Sequence, residues 1–181
     1  FEYSDYKEGK TTDWFDYSTR TGVIQNYNAS VSGASKNLSY FFSGSYIDQS
    51  GILIGDDYSR TALSMRLQSD ITKWLQIGGE SSYAYNDFSG LTNYNLYEAV
   101  RMSPYGRSER PDGAGIEKYP VNEGPINPLW TAKSGTVDDA DIYSTINLRG
   151  HLLLKCPWIE GLTFRMNGTY SLEHVIGDQF Y

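Results

Sequence analysis

RTGVIQNYNASVSGASKNLSYFFSGSYIDQSGILIGDDYSRTALSMRLQSDITKWLQIGGESSYAYNDFSG, residues 20–90, decides the fold. It holds four runs of roughly ten to fourteen residues in which apolar and polar side chains alternate. Short turns and one longer loop separate them. A period of two places alternate side chains on opposite faces of a sheet, so these runs predict antiparallel strands with one apolar and one polar face.

The faces can be assigned residue by residue. In the third run Leu63, Met65, Leu67 and Ile71 share a side, opposite Ser64, Arg66, Gln68 and Asp70. In the fourth, Leu75, Ile77, Tyr83 and Tyr85 oppose Gln76, Glu80, Ser82 and Asn86. Tyr40, Phe42 and Tyr46 line one side of the second run. In the first, Val23, Tyr27, Ala29 and Val31 oppose Asn26, Asn28, Ser30 and Ser32. Two further runs follow near the C-terminus. Ile146, Leu148, Leu152 and Leu154 oppose Asn147, Arg149, His151 and Lys155; Leu162, Phe164, Met166, Tyr170 and Leu172 oppose Thr163, Arg165, Asn167, Thr169 and Glu173. The predicted strands are 22–33, 38–48, 60–71, 75–88, 143–155 and 161–173.

Alternation alone does not name the solvent on the apolar side, because a soluble antiparallel sheet alternates in the same way. The connections add a clue. They run short (34–37), longer (48–59), short (72–74), very long (91–141) and short (156–160). Outer-membrane barrels pair short periplasmic turns with long extracellular loops, and their strands cross the bilayer in about 9–11 residues. The apolar sides of runs three to six carry no Lys, Arg, Asp or Glu, which suits either lipid or a buried sandwich face.

Composition excludes several classes of function. The 181 residues carry a net charge of −7 and a pI near 4.8. Nucleic acid needs clustered Lys and Arg for its phosphates, so it is not an expected partner. No apolar run is long enough for a transmembrane helix. The single cysteine, Cys156, cannot form an intramolecular disulfide, and it reads as a free structural thiol beside Pro157 in a turn.

With the strands assigned, residues 12–90 resemble the early barrel strands of the TonB-dependent outer-membrane transporters of the SusC/RagA-like family. The matching stretches are TDWFDYSTRTGVIQNYNASVSG, YFFSGSYIDQSGILIGDDYSR and KWLQIGGESSYAYN. Positions of fixed type fall in series: Thr12-Asp13-Trp14, Arg20-Thr21-Gly22, Gln25-Asn26-Tyr27-Asn28, Ser30-Val31-Ser32-Gly33, Gln49, Gly51, Asp57-Tyr58 and Arg60. Arg101-Met102-Ser103-Pro104 and Asn127-Pro128-Leu129 continue the likeness more weakly. The resemblance implies an all-β fold of antiparallel up-and-down strands, part of a large transmembrane β-barrel of about 22 strands around a plugged lumen, with a long extracellular loop. It further implies import of glycans or peptides across a Gram-negative outer membrane, a SusD-like surface lipoprotein as partner, and energy from TonB acting through a plug domain. On this reading residues 1–19 are an irregular lead-in between plug and barrel. Residues 20–181 are a partial barrel domain of about six strands with a long loop at 90–142, and the chain is read as part of a longer polypeptide. The alternative is a soluble β-sandwich module that binds carbohydrate.

The remaining candidates lie outside the strands. Tyr3, Tyr6, Trp14, Phe15 and Tyr17 could stack on sugars, or could be a packing or interfacial cluster, since Tyr and Trp favour half-wet positions. The loop at 49–59, with Gly51, Gly55, Asp56 and Asp57, has the chemistry of a turn rather than the spaced oxygens of a calcium loop. NYNLYEAVRM, residues 93–102, predicts a short helix capped by Asn93 and ended by Pro104. Around it the long loop gathers rings with amides and Arg, and Tyr94, Tyr97, Arg101, Tyr105, Asn127 and Trp130 are the candidate ligand-binding residues. Rings can meet the C–H faces of a sugar while the polar groups meet its hydroxyls; a loop packed on its own aromatics is the plainer reading. Arg149, His151, Lys155 and Arg165 form a basic stripe, read as charges paired on a wet wall with Glu80 and Glu173. No catalytic residue, metal site or cofactor is indicated. His151 and His174 lack a metal-ligand spacing, and no nucleophile or phosphate-loop motif occurs. Three Asn-X-Ser/Thr matches, at Asn28, Asn37 and Asn167, fall in strands or a tight turn and carry no weight.

Overall fold

A computed structural model describes residues 2–89, 96–110, 112–121, 124–130 and 138–180. Six strands form one antiparallel sheet: β1 (Val23–Ala34), β2 (Leu38–Ser50), β3 (Asp57–Asp70), β4 (Leu75–Asp87), β5 (Asp138–Lys155) and β6 (Thr163–Phe180). They lie side by side in chain order. Among the described residues three short helices accompany them: α1 (Glu2–Glu8), α2 (Trp14–Ser18) and α3 (Leu96–Arg101).

The register extends each face across all six strands. One apolar row runs Val31, Phe42, Met65, Ser81, Leu148, Tyr170, and the next runs Ala29, Gly44, Leu63, Tyr83, Ile146, Leu172. These side chains face outward uncovered: Leu63 is 53% exposed, Phe164 59% and Met166 58%. Among the described residues no second sheet packs on this face, so the two layers that define a sandwich are not formed. Two glycines on the sheet are covered by neighbouring rings. The Tyr40 ring lies over Gly33, its register partner, and the His151 imidazole lies over Gly78. A side chain at either glycine would displace the ring.

The largest departures from the sequence expectation are extensions at the long-loop end. β3 begins at Asp57, β5 at Asp138, and β6 continues to Phe180. The β3 and β5 extensions are mostly polar, the β6 extension adds Val175 and Ile176, and ladder pairing runs through all three. Asp48, Asp57 and Asp87 share the parity of the apolar side, all at the long-loop end; Asp87 already lies within the fourth predicted run, so the apolar side of that run is not free of charge as expected. The charge-free apolar band therefore stops short of that end.

The buried core sits beside the sheet. Trp14, Ala99, Met102 and Val121 pack together, with Tyr17 and Leu96 against them. This core forms where the N-terminal segment meets the long connection between β4 and β5. Residues 2–19, part of the lead-in expected to be irregular, hold α1 and α2. Asp13 caps α2 by accepting from the Phe15 and Asp16 amides, as a short acidic side chain at that position favours. The segment is tied to the long-loop end. Thr12 N–H donates to Pro104 O, Arg20 N–H to Ile52 O and Ile54 N–H to Ser18 O. The helix expected at 93–102 is α3; its proposed cap Asn93 lies outside the described residues.

Candidate functional site

Two surfaces carry polar chemistry: the polar face of the sheet and a cleft at the long-loop end.

On the polar face, mid-height, the register aligns Ser30, Ser43, Ser64, Ser82, Asn147 and Ser171 across all six strands. Ser43 and Ser64 share a hydrogen bond of 2.7 Å, and Ser171 donates to Asn147 Oδ1 at 2.7 Å. The next row toward the short turns places Arg66, Glu80 and Arg149 on adjacent strands, with Arg66 3.2 Å from Glu80. Nearer the turns, Gln76 donates to Asp70 at 2.7 Å. The pairing expected for the basic stripe therefore differs in detail. Glu80 takes Arg66 of β3 instead of a residue of β5 or β6, and Arg149, Lys155, Arg165 and Glu173 make no ion pair among the described residues. Sequence spacing could not choose between Arg66 and Arg149, because both flank Glu80 in register.

The cleft at the other end has a volume of about 380 Å³ and is lined by Asp5, Lys10, Thr12, Tyr105, Arg107 and Glu109, among others. Its wall is a bidentate ion pair. Arg107 Nε and Nη2 donate to the two Asp5 oxygens at 2.6 and 2.7 Å. Asp5 is only 4% exposed, and the Arg107 guanidinium holds its carboxyl below the usual carboxylate range. Lys10 pairs with Glu8 at 2.7 Å, which raises the Lys10 ammonium and lowers the Glu8 carboxyl. Thr12 Oγ1 donates to Gly106 O at 3.0 Å, and Trp14 Nε1 to Ser103 O at 2.8 Å. Sequence reasoning missed this cleft, because Asp5 and Arg107 lie far apart in the chain.

The six loop residues expected to bind ligand are held by different partners. Tyr97 and Arg101 sit together on α3, the guanidinium 5.1 Å from the ring centroid, and Arg101 also reaches Glu98 at 3.6 Å. Tyr105 stacks edge-on to Tyr6 at 5.2 Å and lines the cleft. Asn127 is 2% exposed; it donates to Ser108 O and accepts from the Leu129 amide, so it braces the loop. Lys118 lies 5.4 Å from the Trp130 ring. Tyr94 lies outside the described residues. Of the N-terminal aromatics, Trp14 is core and Tyr17 packs on it; burial raises the Tyr17 phenol. Tyr3, Tyr6 and Phe15 stay exposed.

The loop at 51–56 is a turn held by Arg20. Its Nε donates to Gly51 O at 3.0 Å, and its Nη2 reaches Asp56 O and the Asp57 carboxylate. Gly55 supplies a φ of 93°, which favours glycine.

No family model matches the sequence. The chain is 28% identical over 189 residues to TonB-dependent receptor P3 of Formosa agariphila, covering 95% of this chain and 18% of that protein. It is 25% identical over 167 residues to TonB-dependent receptor P39 of the same organism, covering 91% of this chain and 15% of the relative. Against TonB-dependent receptor P26 it is 32% identical over 83 residues, 45% of this chain and 8% of the relative. The chain thus spans less than a fifth of each curated relative. Among solved structures, the RagAB peptide importer in its open-open state matches with a TM-score of 0.72 and 19% identity, over 90% of this chain and 19% of the matched chain. A second RagAB peptide transporter structure matches equally well. These proteins are receptors and an importer, not enzymes. The resemblance carried by the strand motifs is borne out: over nearly its whole length the chain is similar to TonB-dependent receptors, and its fold is that of the matching part of a RagAB chain.

Proposed function

We propose that this chain is a stretch of the wall of an outer-membrane TonB-dependent importer. Its apolar face meets lipid and its polar face lines the lumen of a barrel of about 22 strands. One observation carries the reading: a mainly apolar face runs across six strands, and among the described residues nothing packs on it. Water would penalise that surface, whereas lipid would not. The strands span 12 to 18 residues, enough for the roughly 9–11 a bilayer requires.

The same reading sets the orientation. Short turns face the periplasm and the 88–137 connection faces outside. Residues 2–19 are bonded to the long-loop end, so they belong outside too, beside the cleft of Asp5 and Arg107. That replaces the plug-side lead-in inferred from the resemblance. The cleft and its aromatics make a first contact for an oligomeric nutrient, a peptide or a glycan, and the long loop offers the surface for a lipoprotein cap. TonB would act through a plug that this stretch does not contain. Likeness to a peptide importer favours peptides, and the exposed rings favour sugars. Uptake of labelled peptides and glycans by cells carrying or lacking the full-length gene separates the two. A full-length protein found in the outer-membrane fraction and extracted only by detergent supports the reading. One recovered soluble and monomeric would overturn it.

A further inference from the structure

The short-turn end is built differently from the rest of the sheet. Between its second and third turns lies an apolar cleft of about 380 Å³, lined by Trp74, Leu154, Lys155, Trp158, Leu162 and Phe164. The Lys155 amide donates to Trp74 O at 2.8 Å and ties the two turns together. Trp158 is 89% exposed and Trp74 43% exposed. Indole rings left out at the rim of a greasy band take up the position that Trp favours between acyl chains and headgroups. The lysines add a sign to that position. Lys36 and Lys73 sit in the first and second short turns, and Lys155 at the third, against Glu160 in that turn and Asp70, which Gln76 engages. The opposite end carries Asp48, Asp56, Asp57, Asp87, Glu98 and Glu109 together with Lys7, Lys10 and Lys118, so the local balance at the short turns, three lysines to two acids, is what bears on a headgroup there.

We infer that this cleft is a binding site for an anionic phospholipid of the leaflet at the short-turn end. Leu154, Leu162 and Phe164 would take an acyl chain and the two indoles would flank the glycerol region; Lys155, which ends β5 and lines the cleft although its parity is that of the polar face, and Lys73, next to Trp74 in the second turn, would reach the phosphate. Ammonium groups near an anionic headgroup attract it over a Debye length, and a zwitterionic headgroup gives them much less. The inference rests on the membrane orientation proposed above.

The test uses the full-length protein in mild detergent, stripped of lipid, then offered phosphatidylglycerol or phosphatidylethanolamine with identical acyl chains. Retained lipid is counted by native mass spectrometry. The expected result is preferential retention of phosphatidylglycerol by about fivefold or more, the factor one lysine near an anionic surface provides. K73E with K155E should erase that preference, and W158A should lower retention of both lipids. Equal retention of the two lipids by the unaltered protein, or an unchanged preference in the lysine double variant, would overturn the site. Either result in a protein that still requires detergent leaves the barrel reading standing. A full-length protein that is soluble without detergent removes both.

Discussion

The Asp5 carboxylate accepts two hydrogen bonds from the Arg107 guanidinium across 102 residues of chain. The pair fastens α1 to the long connection at the rim of the outer cleft, where Asp5 is buried. A carboxylate held in this way resists protonation. Its folded pKa lies below the unfolded value of about 3.9, so the folded state binds fewer protons. The clamp's contribution is therefore fully present above about pH 4 and is lost as pH falls through the lowered folded value. Hydrogen exchange of residues 2–10 and 103–109 in the full-length protein should be flat from neutral pH to about 4.5, once corrected for intrinsic rates. It should rise in stronger acid. In Asp5→Asn the same amides should exchange fast at every pH. Unchanged exchange in that variant would show the pair to be incidental.

Trp14 holds the other side of the junction. It is 4% exposed and donates to Ser103 O. Trp14→Ala removes its contacts with Met102 and Val121 and leaves a cavity, at a cost of about 3–5 kcal/mol. The sheet does not depend on this core. Limited proteolysis should then cut within the 96–130 segment while the strands stay protected. Loss of the whole barrel instead would mean that the outer core is part of the strand fold.

Leu148 and Ser82 separate the two faces by experiment. Leu148 lies in the apolar row between Ser81 and Tyr170, and Ser82 in the hydroxyl row. Leu148→Lys should destabilise the full-length protein in lipid vesicles by about 2–4 kcal/mol, the penalty for a cation near the bilayer midplane. Ser82→Lys should cost well under half of that. Equal effects, read from urea unfolding midpoints, would assign both faces to water.

Gly78 and Gly150 make a contrasting pair. A Cβ on Gly78 would meet the His151 ring, whereas a Cβ on Gly150 meets nothing within 4 Å. Gly78→Ala should cost about 1–3 kcal/mol, the usual penalty of overpacking. Gly150→Ala should fall within about 0.5 kcal/mol of neutral. Adding His151→Ala should relieve the Gly78→Ala cost, and a double-mutant cycle measures that coupling.

The sheet was legible because a period of two survives wherever one face is apolar, as in Leu63-Ser64-Met65-Arg66-Leu67. It faded where strands continue in polar residues. Nothing in Asp138-Asp139-Ala140-Asp141 announces a strand, and its ladder is set by pairing with residues 177–180. The helix at Trp14 had a visible signal in its capping Asp13, masked by the Tyr- and Phe-rich residues around it. The cleft was not legible, since the contact of Asp5 with Arg107 depends on how a long connection folds back. Asn127 looked like a sugar ligand because an amide among rings suits one; its burial against Ser108 and Leu129 shows the same amide serving as a brace.

Strand order along the sheet matches order along the chain, and that sets how the wall can assemble. Four of the five junctions are brief, so β1 to β4 can zip up one neighbour at a time, and β5 with β6 forms a hairpin alone. Only the step from β4 to β5 must first close a connection about eight times longer than the one at 51–56. Loop entropy rises by about 0.6 kcal/mol for each doubling, so this step carries roughly 2 kcal/mol more than its neighbours. The 88–137 segment is therefore the joint at which folding pauses. Its own small core of Trp14, Ala99, Met102 and Val121 draws residues 99 and 121 together, which leaves a shorter span for that step to close.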